Sequence, residues 1–140
     1  MVETMTKKYL DELTYQIIGA AIEVHKNLGH GLLESVYHKC MKEELSLRKI
    51  HFVSEVYAPV EYKGIELSTD LRCDLFIENC IAVELKSIEL LAPIHEAQIL
   101  TYMRLLNCPK GILINFNCVN LFKEGQKTFV NHLFRELKEK

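Results

Sequence analysis

Apolar residues in the first part of the chain recur with a helical period. Leu10, Leu13, Ile17, Ala21 and Val24 fall on one side of residues 8–27. The cluster Gly29-His30-Gly31 stops that helix. A second helix is expected over 32–48, with Leu33, Val36, Tyr37, Cys40 and Met41 on one side. The period then changes. From His51 to Tyr62 the residues are β-rich, with a turn at Lys63-Gly64. Strands are expected at 67–77 and 81–87. Pro93 fits the first turn of a third helix, 93–106, which breaks at Asn107-Cys108-Pro109. The apolar run 111–116 is an interior strand. From Leu121 onward the pattern is weak, compatible with a strand near 127–130 and then a polar helix. The order ααβββαβ describes an α/β or α+β sandwich around a mixed sheet. No repeat or linker divides the chain, so residues 1–140 read as one domain.

Charges interrupt the hairpin of residues 73–90. Leu71, Cys73, Leu75 and Ile77 alternate on one face and Arg72, Asp74 and Phe76 on the other. In the next strand Ile81, Val83 and Leu85 oppose Ala82, Glu84 and Lys86. The apolar sets share a face if the loop has an odd number of residues, and Glu78-Asn79-Cys80 satisfies this. Asp74 then lies across from Glu84, and Arg72 across from Lys86. Directly opposed Cβ atoms are about 4.5–5.5 Å apart, so the acids repel unless a cation lies between them. One reading is a solvated ladder in which Arg72 and Lys86 neutralise the acids. The other is a divalent cation held by Asp74 and Glu84, with the Leu85 carbonyl a further ligand. Mg²⁺ and Mn²⁺ prefer such oxygen ligands and keep waters that can be activated. Helices on both sides of the strands in chain order leave little of the sheet solvated, which favours the cation.

The helices add polar residues at helical spacing. Glu34 aligns with Tyr37, Met41 and Leu45 at the head of an apolar stripe. It could equally cap the helix start or favour its dipole. In the third helix His95, Gln98 and Tyr102 form one stripe, where core packing explains Tyr102 better than the other two. His25, His38 and His51 read as surface residues.

Composition narrows the class. A net charge of −2 creates no global basic field, so a polyanion would need a local patch or metal ions. Five cysteines, odd in number and without a C-x-x-C pair, read as reduced thiols of a cytoplasmic protein. The first residues, acidic and without an apolar core, do not read as a secretory signal. No apolar run approaches membrane-spanning length.

Several motifs resemble one family. Asp74, a nine-residue gap and Glu84-Leu85-Lys86 look like the D…ExK motif of the PD-(D/E)XK nuclease superfamily, with Cys73 where that motif has proline. Gln98-x-x-x-Tyr102 resembles the QxxxY motif of its RecB-like branch. Residues 31–37, GLLESVY, match the signature of the small GxxExxY proteins placed in that superfamily. The segments VEYKG, VELKS, HEAQILTYMRLL and GILINFN are similar to the same family, extending the resemblance over about residues 8–130. It implies a restriction-endonuclease-like αβββαβ core with a mixed central sheet flanked by helices. It also implies Asp74 and Glu84 as metal ligands, Glu34 as the helix acid joining them, and Lys86 as the catalytic lysine. Gln98 and Tyr102 would lie beside the site, orienting Lys86 or contacting the nucleic-acid backbone.

The activity implied is Mg²⁺- or Mn²⁺-dependent hydrolysis of nucleic-acid phosphodiester bonds by metal-activated water, with DNA the first expectation. Arg72, Arg104, Lys110 and Lys123 are candidate phosphate contacts. The alternative is a non-catalytic nucleic-acid- or protein-binding regulatory module that uses the acids structurally. No membrane is implied, and a homodimer or protein partner stays open.

Overall fold

The computed structural model describes residues 5–140; residues 1–4, part of the stretch read above for a secretory signal, lie outside the described residues. Helix α1 (Lys7–Leu28) starts at Thr6, whose hydroxyl accepts the Tyr9 N–H at 3.0 Å. It buries Leu10, Leu13, Ile17, Ala20, Ala21 and Val24, the stripe its periodicity marks. Gly29, with φ 74°, ends it. Helix α2 (Glu34–Leu47) begins later than expected. Leu33 therefore stays outside it as the N-cap, 74% exposed, and the buried stripe is Tyr37, Met41 and Leu45 rather than one including Leu33 and Val36.

β1 (Phe52–Tyr57) leads into a small separate hairpin, β2 (Val60–Tyr62) and β3 (Ile65–Leu67), turned at Lys63 and Gly64 with φ of 50° and 81°. The expected strand 67–77 is thus two elements. Between them Ser68-Thr69-Asp70 has no regular structure, and the Thr69 hydroxyl accepts the Leu71 N–H at 3.2 Å. β4 (Arg72–Ile77), β5 (Ile81–Lys86), α3 (Pro93–Leu105) and β6 (Lys110–Asn115) follow. The tail holds a short helix α4 (Leu121–Glu124) not foreseen, then β7 (Gln126–Val130) and the short helix α5 (His132–Arg135).

The five-stranded sheet has the order β1-β4-β5-β6-β7, with β5 and β6 parallel and every other pair antiparallel. The β5–β6 link runs through α3, as a parallel pair requires. Helices α1 and α2 pack on one face against Leu75, Val83, Ile112, Ile114 and Phe116. Helix α3 covers the other face through Ile99, Tyr102 and Met103, against Ala82 and Cys108. Apart from the inserted hairpin, the segment α2-β1-β4-β5-α3-β6 has the expected αβββαβ order, and the fold is the mixed α+β architecture of restriction endonucleases.

Candidate active site

The hairpin register is as the loop length demands. Leu75 pairs with Val83, Phe76 with Ala82 and Ile77 with Ile81, which sets Asp74 opposite Glu84. Glu78 and Asn79 turn the loop with φ of 50° and 57°. Beyond the Leu75–Val83 pair the backbone ladder gives way to side chains. Asp74 Oδ2 accepts the Leu85 N–H at 2.8 Å, and Glu84 Oε1 accepts the Asp74 N–H at 2.9 Å. Each carboxylate thus satisfies backbone on the opposite strand where the two strands open.

The neighbouring strand changes at the same level. Between the pairs Ser54–Leu75 and Val56–Cys73 of β1 and β4, Glu55 has φ 53°, a left-handed conformation within an unbroken register. Cys73 packs with Ala82 and Ile99 beneath α3, not with Leu75 as strict alternation predicts. Leu71 is exposed.

Burial sets the electrostatics of the pair. Glu84 is 3% exposed, and desolvation, then the Asp74 charge, push its carboxyl up to about 8. Desolvation also raises Asp74, opposed by the Leu85 N–H, His38, Lys86 and a hydrogen bond from Glu84. At neutral pH the pair therefore retains a proton on Glu84 that Asp74 can share. Lys86 Nζ lies 3.9 Å from Glu84 Oε2 and is mostly buried. Arg72 does not join a charge ladder; its guanidinium stands 5.6 Å over the Tyr57 ring.

Two helix starts face this opening. Glu34 is the first residue of α2, exposed, and stands in the first turn, where an acid also favours the helix dipole. Desolvation raises its carboxyl, Lys86 pulls it down, Asp74 pushes it up, and His38 and His95 lower it. Glu34 thus stands within electrostatic reach of the strand acids. The loop before α2 is tied to the site: Ser87 Oγ donates to the Leu32 carbonyl at 2.6 Å. Tyr37 donates its hydroxyl to the Gly29 carbonyl at 2.6 Å, receives the Leu32 N–H at 3.3 Å and stacks on Phe116 at 4.4 Å. At the start of α3, His95 Nδ1 accepts the Ala92 N–H at 2.9 Å, which leaves Nε2 free of the cap. Gln98 hydrogen-bonds Tyr102, whose hydroxyl is raised by burial and by the nearby Glu84. Asn115, buried at the end of β6, clamps both backbone groups of Ile88, at 3.1 and 3.0 Å, fixing the segment after Lys86.

Sequence reasoning missed His38. It lies one turn beyond Glu34 and acts on both Glu34 and Asp74. Its Nε2 is buried and is the one such side-chain atom without a hydrogen-bond partner among the described residues. The i, i+4 spacing to Glu34 is the signal that marks it. Lys110 is no phosphate contact: it is 6% exposed, bound to Asp11 at 3.0 Å and set over Phe134. Its place at the start of an interior strand is the reason. Arg104 and Lys123 are exposed.

The donor chemistry suits a hard divalent cation. Asp74 Oδ1 and Glu84 Oε2 are left by the backbone bonds, and the Leu85 carbonyl, on the same side of its strand as its N–H, points toward β4. Among the described residues no three or more His, Cys, Asp or Glu side chains are spaced to hold a metal ion.

The molecule is a mixed α+β domain whose sheet opens at the Asp74–Glu84 pair, between two helix starts. The sequence model of the PD-(D/E)XK nuclease superfamily matches residues 11–129, and the chain belongs to that superfamily. Its nucleases generally use divalent metals and act on nucleic acid. Comparison with curated proteins and with solved structures gives no significant match. Among the described residues no helix is long and apolar enough to cross a membrane.

Proposed function

We propose that this chain is a Mg²⁺- or Mn²⁺-dependent nuclease acting on phosphodiester bonds, DNA first, and that it groups with the GxxExxY proteins of the RecB-like branch. The observation that carries the reading is the pair of half-buried Asp74 and buried Glu84, facing each other where the strands open, beside Lys86. Holding two carboxylates together out of water opposes their ionisation, and a cation between them removes the penalty. Support for the grouping comes from the physical role at each signature position: Gly31 turns with φ 93°, Glu34 opens α2, and Tyr37 latches the loop.

Asp74, Glu84 and the Leu85 carbonyl would hold the ion, with Glu34, which does not stand at ligand spacing with the two strand acids, adding an acid from the helix side. The ion, when bound, acidifies water and neutralises charge on the phosphate. Lys86 orients the attacking water and stabilises the negative charge that develops on the phosphoryl oxygens. Gln98 and Tyr102 support Lys86 or the substrate backbone. Residues 1–140 act as one domain in the cytoplasm, consistent with five unpaired cysteines. A homodimer or protein partner would supply the phosphate contacts that a near-neutral surface lacks.

One observation favours the second reading, a non-catalytic binding module: the acids already serve the sheet by satisfying its backbone at the opening. A cleavage panel of single-stranded, duplex, flap and RNA substrates with Mg²⁺ or Mn²⁺ separates the two. Metal-dependent cutting that disappears in Asp74→Ala is expected. Purified protein that binds nucleic acid and cuts nothing transfers the site to the module.

A further inference from the structure

Tyr57 ends β1 and is 60% exposed. Arg72, its partner across β1 and β4, holds a guanidinium over one face of the ring at 5.6 Å. The same ring lines a cavity of about 520 Å³ between the end of β1 and the β2–β3 hairpin, with Leu67, Ser68, Thr69 and Glu66. Further out Tyr62, also 60% exposed, repeats the pairing with Lys63 at 5.4 Å. Arg72 precedes Asp74 by two residues on one strand, a rise on the order of 7 Å. This arm therefore adjoins the carboxylate site.

Its charge indicates which part of a nucleic acid it meets. Glu61 and Glu66 oppose each other across the hairpin and offset the charges of Lys63 and Arg72, so the arm carries no net positive charge to hold a phosphate track. What it offers is ring faces backed by cations, and hydroxyl and carboxylate groups that can bond a base edge. A base exposes its face and its pairing edge only when unpaired.

We propose that the cavity beside Tyr57 receives an unpaired base next to the scissile phosphate, with Arg72 bracing the ring, so that the protein selects single-stranded or flap segments over closed duplex. The proposal rests on the nuclease reading for the scissile bond, but base capture is measured without cleavage. Tyr57 and Arg72 are positioning residues. Glu66 accepts from an exocyclic amino group, favouring cytosine, adenine or guanine over thymine.

The test is fluorescence anisotropy in EDTA at fixed salt, with labelled single-stranded and blunt duplex oligonucleotides. Wild type should bind the single strand more tightly. Tyr57→Ala should weaken that binding about tenfold, as expected for losing one stacked base, and leave duplex binding unchanged. Tyr57→Phe, which keeps the ring, should stay within about twofold, so that a loss in Tyr57→Ala reports stacking rather than misfolding. Equal affinity for single strand and duplex, no binding of either, or Tyr57→Ala indistinguishable from wild type overturns the proposal; the last result is the one expected if the hairpin docks a protein instead. Single-strand preference that depends on Tyr57, in protein that cleaves nothing with metal, upholds base capture and removes only the nuclease reading.

Discussion

Lys86 is the residue whose removal separates chemistry from architecture. Its Nζ stands 3.9 Å from Glu84 Oε2, and it follows that acid by two positions on one strand. In Lys86→Ala the backbone bonds of Asp74 and Glu84 remain, so metal binding and the melting temperature should change little. Single-turnover cleavage should fall by about a hundredfold, the scale seen when one electrostatic stabiliser is lost. Equal losses in metal affinity and rate would instead make Lys86 a structural counter-ion. At this scale the acids were legible because a period of two and an odd loop fix who faces whom. Cys73 was not: it sits beneath α3 although Leu75, two residues on, faces the other helices, and a count of alternating positions along β4 does not contain that break. Nor was Lys110: its charge suggests a phosphate ligand, while its depth depends on Asp11 from α1, distant in sequence.

The start of α2 is the element that brings Glu34 to the strands. Tyr37 holds the turn before it by two hydrogen bonds and a ring stack. Tyr37→Phe keeps the stack and loses the bonds, which should lower stability by about 1 kcal/mol in denaturant unfolding. Tyr37→Ala also empties a fully buried ring site and should cost about 3–5 kcal/mol. If the two variants lose the same amount, the latch is the hydroxyl and not the stack. α1, with its long apolar period, α3, bracketed by Pro93 and the Asn107-Cys108-Pro109 break, and β5, an apolar run after a turn, were legible from the sequence alone. The split between β3 and β4 was masked because Leu67 and Leu71 continue an apolar rhythm across Ser68-Thr69-Asp70. The break there goes with a hydroxyl–backbone bond and with the pairing of β3 back onto β2.

For the whole molecule, the acid pair links stability to pH. Glu84 rises from 4.5 to about 8 in the fold, so between those values the native chain keeps a proton that the unfolded chain has released. Stability without metal should therefore fall as pH rises from about 4.5 toward 8. Melting of Glu84→Gln, which has no proton to lose there, should show a flatter profile and at least wild-type stability at pH 8. A divalent cation must displace that proton, so its stabilisation should grow with pH over the same window. A wild-type profile that rises with pH would mean the pair is solvated and ionised throughout. Covering both sheet faces with helices buries Glu84 and half-buries Asp74, and chain order alone announced that both faces are covered. The central claim joins this pair, a divalent ion and phosphodiester cleavage, and single-turnover cleavage of a labelled oligonucleotide against Mn²⁺ concentration, for wild type and Asp74→Asn, tests all three together. The predicted result is a wild-type rate that rises from nothing and saturates with metal, and no comparable rate in Asp74→Asn at any concentration. A rate independent of Mn²⁺, or one with the same metal dependence in Asp74→Asn, would contradict it.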